Sequence, residues 1–254
     1  MQRRSCLLLV LLAAAPLNVH AAESPLIAAA ASLQPALDEA AALIMAETGI
    51  APRFAYGASG NLARQITRGA PFEMLLSADE SSIHALAAAG HLRDAGHVYA
   101  IGRLALFAPR GSVLEPTAGL ESLRLLLAAG RVQRFAIANP DIAPYGRAAA
   151  QALRNLDLLE ALRPRLVFGE NIAQAAQFAV TNGATGGLIA LSLADSPALK
   201  ARGSFSLVSE SLHEPLRHRL ALTKRASDAA LRVQTWLLSP QAVALFARHG
   251  LQAP

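Results

Sequence analysis

The sequence predicts an α/β protein of two lobes, each built on a mainly parallel sheet flanked by helices. Three observations predict it. Strand–loop–helix units follow one another three times between residues 26 and 90, and the pattern recurs between 135 and 191. Extended segments at 205–208 and 219–222 then lead into a helical tail. Consecutive βα units imply a parallel sheet with helices on its faces.

Leu26 to Ala31 is a short apolar run, and an amphipathic pattern starts at once with Leu33, Leu37, Ala40 and Ile44. That spacing is a helical stripe. Ser32 reads as its N-cap, and Pro35 is tolerated because first-turn amides have no partner within the helix. Gly49 reads as the residue that ends it. A second strand at about 50–56 is followed by Gly57-Ala58-Ser59-Gly60-Asn61 and a helix carrying Leu62 and Ile66. A third, at about 72–76, runs into Ser77-Ala78-Asp79-Glu80-Ser81 and a helix with Ile83 and Leu86.

The apolar segment 98–107 is the expected crossover to the second lobe. There 120–127 reads as helix, 135–138 as strand, and the loop 139–146 as the entry to a helix ending near Asn155. Residues 166–168 read as a strand meeting Gly169-Glu170-Asn171-Ile172 and another helix, and 187–191 as a buried strand. Ser239-Pro240 restarts the terminal helix as cap and first residue. The expected division is a leader at 1–21, the first lobe from 22 to 100 and the second from 101 to 204. From 205 to 254 the chain is expected to return to the first lobe and end in helices.

Arg3 and Arg4 before an apolar stretch, with small residues up to Ala21, are the pattern of a secretory signal peptide, too short to span a bilayer. An exported, periplasmic protein follows. The single cysteine, Cys6, lies in that leader, so disulfides are excluded and the fold must rely on its core. With 53% hydrophobic residues it can build one. The net charge of +5 comes from scattered arginines without a basic run, which argues against nucleic-acid binding.

In open α/β sheets ligands bind beyond the carboxyl ends of the strands. The loops gathered there carry Ser32, Ser59, Tyr145 and Ile172. A helix start points free N–H groups and a positive dipole end at whatever lies before it, a ready anion site. Apart from Asp141 and Glu170 nearby, these loops offer hydroxyls and amides and little charge. Neutral donors without an acceptor suit a dianion that carries no proton, such as sulfate or molybdate. Ser32 and Ser59 also read as plain helix caps, and Tyr145 as a turn residue. Ile172 offers only its backbone.

At these loops the chain resembles the molybdate-binding proteins of ABC transporters. Ala28-Ala29-Ala30-Ala31-Ser32-Leu33 is similar to that family's first ligand loop, and the stretch from Tyr56 through Ser59 to Ile66 to its second. Gly69-Ala70-Pro71, Leu76-Ser77-Ala78-Asp79, Asn139-Pro140, Ala143-Pro144-Tyr145-Gly146 and Gly169-Glu170-Asn171-Ile172 follow at the family's spacing. The resemblance covers essentially the whole mature chain. It implies a two-lobed, type II periplasmic-binding-protein-like fold with the ligand in the cleft between lobes. It implies oxyanion contacts from the hydroxyls and amides of Ser32 and Ser59 and from the backbone amides of Tyr145 and Ile172. Molybdenum or tungsten would thus be held only as the oxyanion, with no cofactor and no direct metal ligand. It also implies hinge closure, a membrane permease as partner, and a monomer. Where some members place a tyrosine hydroxyl on the ligand this chain has Ala190, and Tyr145 is the candidate to replace it.

The seven histidines form no metal-ligand spacing. Arg64 and Arg147, one turn into their helices, read as solvated, and Asp79 as a helix cap. Two other functions compete. A serine hydrolase would use Ser59, but Asn61 stands where a G-x-S-x-G elbow needs glycine. A binder of sulfate, thiosulfate or another oxyanion is the nearer alternative, because fold does not fix ligand.

Overall fold

A computed structural model describes residues 24–181 and 183–254; the expected leader lies outside the described residues. The first lobe opens with β1 (Leu26–Ala30), a 3-10 turn (Ala31–Leu33) and α1 (Gln34–Thr48). Then come β2 (Arg53–Gly57), α2 (Ser59–Thr67), β3 (Met74–Ser77), α3 (Ser81–Ala88) and β4 (His97–Gly102). Arg103 alone separates β4 from β5 (Leu104–Pro109), the first strand of the second lobe. There follow α4 (Gly119–Ala128), β6 (Phe135–Ala138), α5 (Pro144–Asn155), α6 (Leu159–Leu162), β7 (Leu166–Gly169), α7 (Ile172–Ala179) and β8 (Gly186–Ala190). Short helices α8 (Leu191–Ala194) and α9 (Pro197–Lys200) lead to β9 (Gly203–Leu207). The chain returns through β10 (Leu216–Leu222) and ends in α10 (Asp228–Leu237) and α11 (Pro240–Arg248).

Two five-stranded sheets result, ordered β2-β1-β3-β10-β4 and β7-β6-β8-β5-β9. In each, three neighbouring strands run parallel, the fourth (β10 or β5) runs against them, and the edge strand (β4 or β9) pairs antiparallel with the fourth. The alanine-rich β1 sits between β2 and β3 and is buried along almost its whole length, as a strand covered on both faces must be. Leu37, Ala40 and Ile44 of α1 are fully buried, as the stripe predicts. Truncating Leu37 to alanine there would cost about 2–5 kcal/mol. Gly49 ends α1 with φ +71° and donates its amide to the Met45 carbonyl. Ser239 caps α11, accepting from the Ala242 amide. One apolar core runs through both lobes, and a smaller cluster around Leu62, Ile66, Leu75 and Leu86 fills the other face of the first sheet.

Two expectations change. The segment at 205–208 does not return to the first lobe: β9 pairs with β5 at the edge of the second sheet, from Ala105 opposite Leu207 to Pro109 opposite Gly203. The apolar β5 needs a partner on both sides, and alternation shows that a strand exists without showing which edge it joins. The return belongs to β10, which lies between β3 and β4. Ser32, moreover, is no helix cap. It sits inside the 3-10 turn before α1, whose N-cap is Leu33, and its side chain makes no capping bond.

Candidate functional site

The carboxyl ends of β1, β2, β6 and β7 each feed a helix, and the starts of those helices meet between the lobes. The cavity they enclose is lined by Ser32, Ser59, Ala78, Ala143, Tyr145 and Ile172 together with small residues of the same loops. All four residues expected from the sequence are thus brought together, and all four are buried. The cavity is small, about 10 Å³ of room for the centre of a water-sized sphere, the scale of one compact group and not of an extended ligand.

Each residue presents a free donor. The Ser32 hydroxyl is buried and makes no hydrogen bond of ordinary geometry, its only polar influence being a weak one on the nearby Tyr145 hydroxyl. Such orphans are uncommon, because an unpaired buried polar group costs about 1–3 kcal/mol. The Ser59 hydroxyl accepts from the Ala78 amide at 3.0 Å, leaving its proton to be donated elsewhere. Its partner is an amide and not an imidazole, so the hydrolase reading has no base beside the serine. Asn171 caps α7 by accepting from the Ala173 and Gln174 amides, both at 3.0 Å, and leaves the first amide, that of Ile172, uncapped. Pro144 opens α5 without an N–H, so Tyr145 carries the first amide of that helix. Neither serine, therefore, acts as a side-chain cap.

The electrostatics come from backbone alone. No charged residue lines the cavity. Each α-helix start carries about +0.5 of an elementary charge, so their convergence favours an anion. The Tyr145 side chain, expected to stand in for a tyrosine at position 190, packs against Gly102 at the crossover between the two sheets. Its hydroxyl lies 3.4 Å from Nε2 of His218, on β10 of the first lobe. Burial raises the Tyr145 phenol, with the neighbouring Ser32 hydroxyl opposing, and the group stays protonated. Burial lowers His218 to about 3, against a small opposing pull from the Asp79 charge, so the imidazole is neutral. The two rings meet directly over Gly102, where any Cβ would collide with both.

Contacts that sequence reasoning missed join the lobes around the cavity. Ser192 donates to the Ser32 carbonyl at 2.6 Å. Gly60 donates its amide to the Ile142 carbonyl at 3.1 Å. Arg147 is not simply solvated: it forms an ion pair with Asp79. Asp79 also accepts from the Ser82 amide in the first turn of α3, although the N-cap position of that helix belongs to Glu80. Arg64 stays on an exposed face beside Asn61. Among the described residues no cluster of histidine, cysteine or acidic side chains could hold a metal ion, and no helix is long and apolar enough to cross a membrane.

The family model of the bacterial extracellular solute-binding proteins matches residues 25–252. A molybdate-binding protein of Rhodobacter capsulatus, ModA, is 34% identical over 238 residues, 92% of this chain and 90% of its own. The fold is similar to the periplasmic molybdate-binding protein of Azotobacter vinelandii, with a TM-score of 0.82 and 29% identity over 91% of this chain and 99% of that one. The sulfate-binding protein SubI of Mycobacterium tuberculosis shares the fold, with a TM-score of 0.73 over 91% of this chain and 87% of that one at 16% identity.

Proposed function

Because this chain belongs to the bacterial extracellular solute-binding proteins, we propose that it binds molybdate, and tungstate with it, in the periplasm and hands it to an ABC permease. The relatives are binding proteins, and no bond is made or broken in the proposed cycle. The hydroxyls of Ser32 and Ser59 and the amides of Tyr145 and Ile172 hold the anion's oxygens. Hydrogen bonds to a charged acceptor contribute about 1.5–3 kcal/mol each. The first two donors belong to one lobe and the last two to the other, so the full set exists only when the lobes are closed. A ligand drives closure by its higher affinity for that state. The observation that carries this reading is the buried, unpartnered Ser32 hydroxyl among four helix starts in a cavity without charge. A monomer suffices for this cycle.

Titration calorimetry of the leaderless, ligand-free protein with molybdate, tungstate, sulfate and phosphate tests it. The expected result is tight one-to-one binding of the first two and weak binding of phosphate, which carries a proton at neutral pH. Sulfate binding as tightly as molybdate would move the assignment to the second reading, another oxyanion. That reading draws support from Ala190, which leaves every proposed donor serving an oxygen without testing the size of the central atom. No binding of any of the four would remove both.

A further inference from the structure

The loop after β3 is tied both to a proposed ligand donor and to the opposite lobe. Ala78 donates to the Ser59 hydroxyl, and its neighbour Asp79 forms the ion pair with Arg147 on α5. The first lobe prepares the carboxylate in advance. Asp79 accepts from the Ser77 hydroxyl at 2.8 Å, the Ser81 hydroxyl at 2.9 Å and the Ser82 amide at 3.2 Å. Burial pulls its pKa up, yet these bonds and the Arg147 charge outweigh that and hold it below the usual aspartate value. Its side chain is only 14% exposed, against 45% for Arg147. One partner is thus fixed in place and the other arrives with the second lobe.

The seam beside this pair is equally specific. Gly60 meets the Ile142 carbonyl so closely that a Cβ would press on it at 2.9 Å. Arg147 does not line the inner cavity; it lines the wider groove at the mouth of the cleft, with Arg154, Glu214 and Arg217.

We infer that Arg147 is a latch: its ion pair with Asp79 forms as the lobes close, holds the loop that seats Ser59, and sets how long the anion stays rather than how fast it arrives. Arg147 is a positioning residue, acting through Asp79 and Ala78 on Ser59. The inference rests on the hinge-closure reading above. An ion pair of this exposure changes an equilibrium by up to about fivefold, and salt weakens it.

The test follows release of radiolabelled molybdate into excess unlabelled molybdate, with uptake rates, ligand-free melting temperatures and small-angle scattering alongside. Arg147→Ala is expected to release about two- to fivefold faster, with an unchanged uptake rate and an unchanged ligand-free melting temperature. Arg147→Lys should recover part of the retention, and raising salt should speed release from the native protein more than from Arg147→Ala. Arg154→Ala, at the same mouth, controls for general positive potential. Unchanged release from Arg147→Ala overturns the latch, as does an equal loss in Arg154→Ala or a lower ligand-free melting temperature. If the native protein binds and contracts while Arg147→Ala releases normally, only the latch falls. Binding without contraction removes hinge closure and the latch together, and absence of binding removes the functional reading as well.

Discussion

The hydroxyl of Ser192 donates a 2.6 Å hydrogen bond to the carbonyl of Ser32, joining residues 160 positions apart and in different lobes. Both residues are buried. Ser192 stands two positions after Ala190, at the start of α8, which packs against the 3-10 turn carrying Ser32. The second lobe thus grips the backbone of the very residue whose side chain is left free. Ser192→Ala should weaken molybdate binding by about three- to tenfold, the worth of one neutral hydrogen bond. Calorimetry beside Ser192→Thr, which keeps the hydroxyl, separates loss of the bond from loss of packing.

Ser32 and Ser59 should separate in a melting experiment without ligand. Ser32→Ala removes an unpaired buried hydroxyl and should leave the melting temperature unchanged or slightly raised. Ser59→Ala strands the Ala78 amide and should lower it, by about 1–3 kcal/mol of stability. Both should lose affinity about tenfold or more, since each removes a bond to a charged acceptor. A drop in stability from Ser32→Ala would mean that its hydroxyl has a protein partner.

His218 makes stability depend on pH with a definite sign. Its native pKa is lowered to about 3 by burial, against an ordinary value of 6.5. Between those values the unfolded chain takes up a proton that the folded chain refuses, so stability falls as pH drops from about 6.5 toward 3. His218→Gln keeps a polar group near Tyr145 and should flatten that slope in denaturant titrations at several pH values. An unaltered slope would assign the acid sensitivity to other groups.

Gly102→Ala should be costly although the backbone there needs no left-handed conformation. The added methyl collides with the Tyr145 hydroxyl and the His218 ring. Overpacking of this kind costs about 1–3 kcal/mol. Adding Tyr145→Phe should restore only part of the loss, because the imidazole still intrudes. Thermal melting of the two variants reads the difference.

The site loops were legible because each combines a local signal with a local structure. Ser59 stands between a strand and a helix stripe, and Gly169-Glu170-Asn171-Ile172 joins another strand to another stripe, so helix starts can be placed without knowing the fold. Ser32 lies in the expected loop but within a 3-10 turn, which at the level of spacing looks like a capped helix start. The lobe-bridging pairs were not legible. Arg147 and Asp79 are 68 positions apart and Tyr145 and His218 are 73, and no periodicity links them. Register fixed by pairing, as for β9 against β5, escaped for the same reason.

The uncharged cavity has a calorimetric consequence. Its wall contains no carboxylate, imidazole or amine, and its one phenol stays protonated. A fully deprotonated anion therefore enters and leaves without moving a proton to or from solvent. The heat of binding is then the same in phosphate-free buffers of quite different ionisation enthalpy, such as Tris and PIPES, and affinity is level across any pH range in which the anion itself does not titrate. Occupancy of such a site at a given anion concentration is then indifferent to modest acidification.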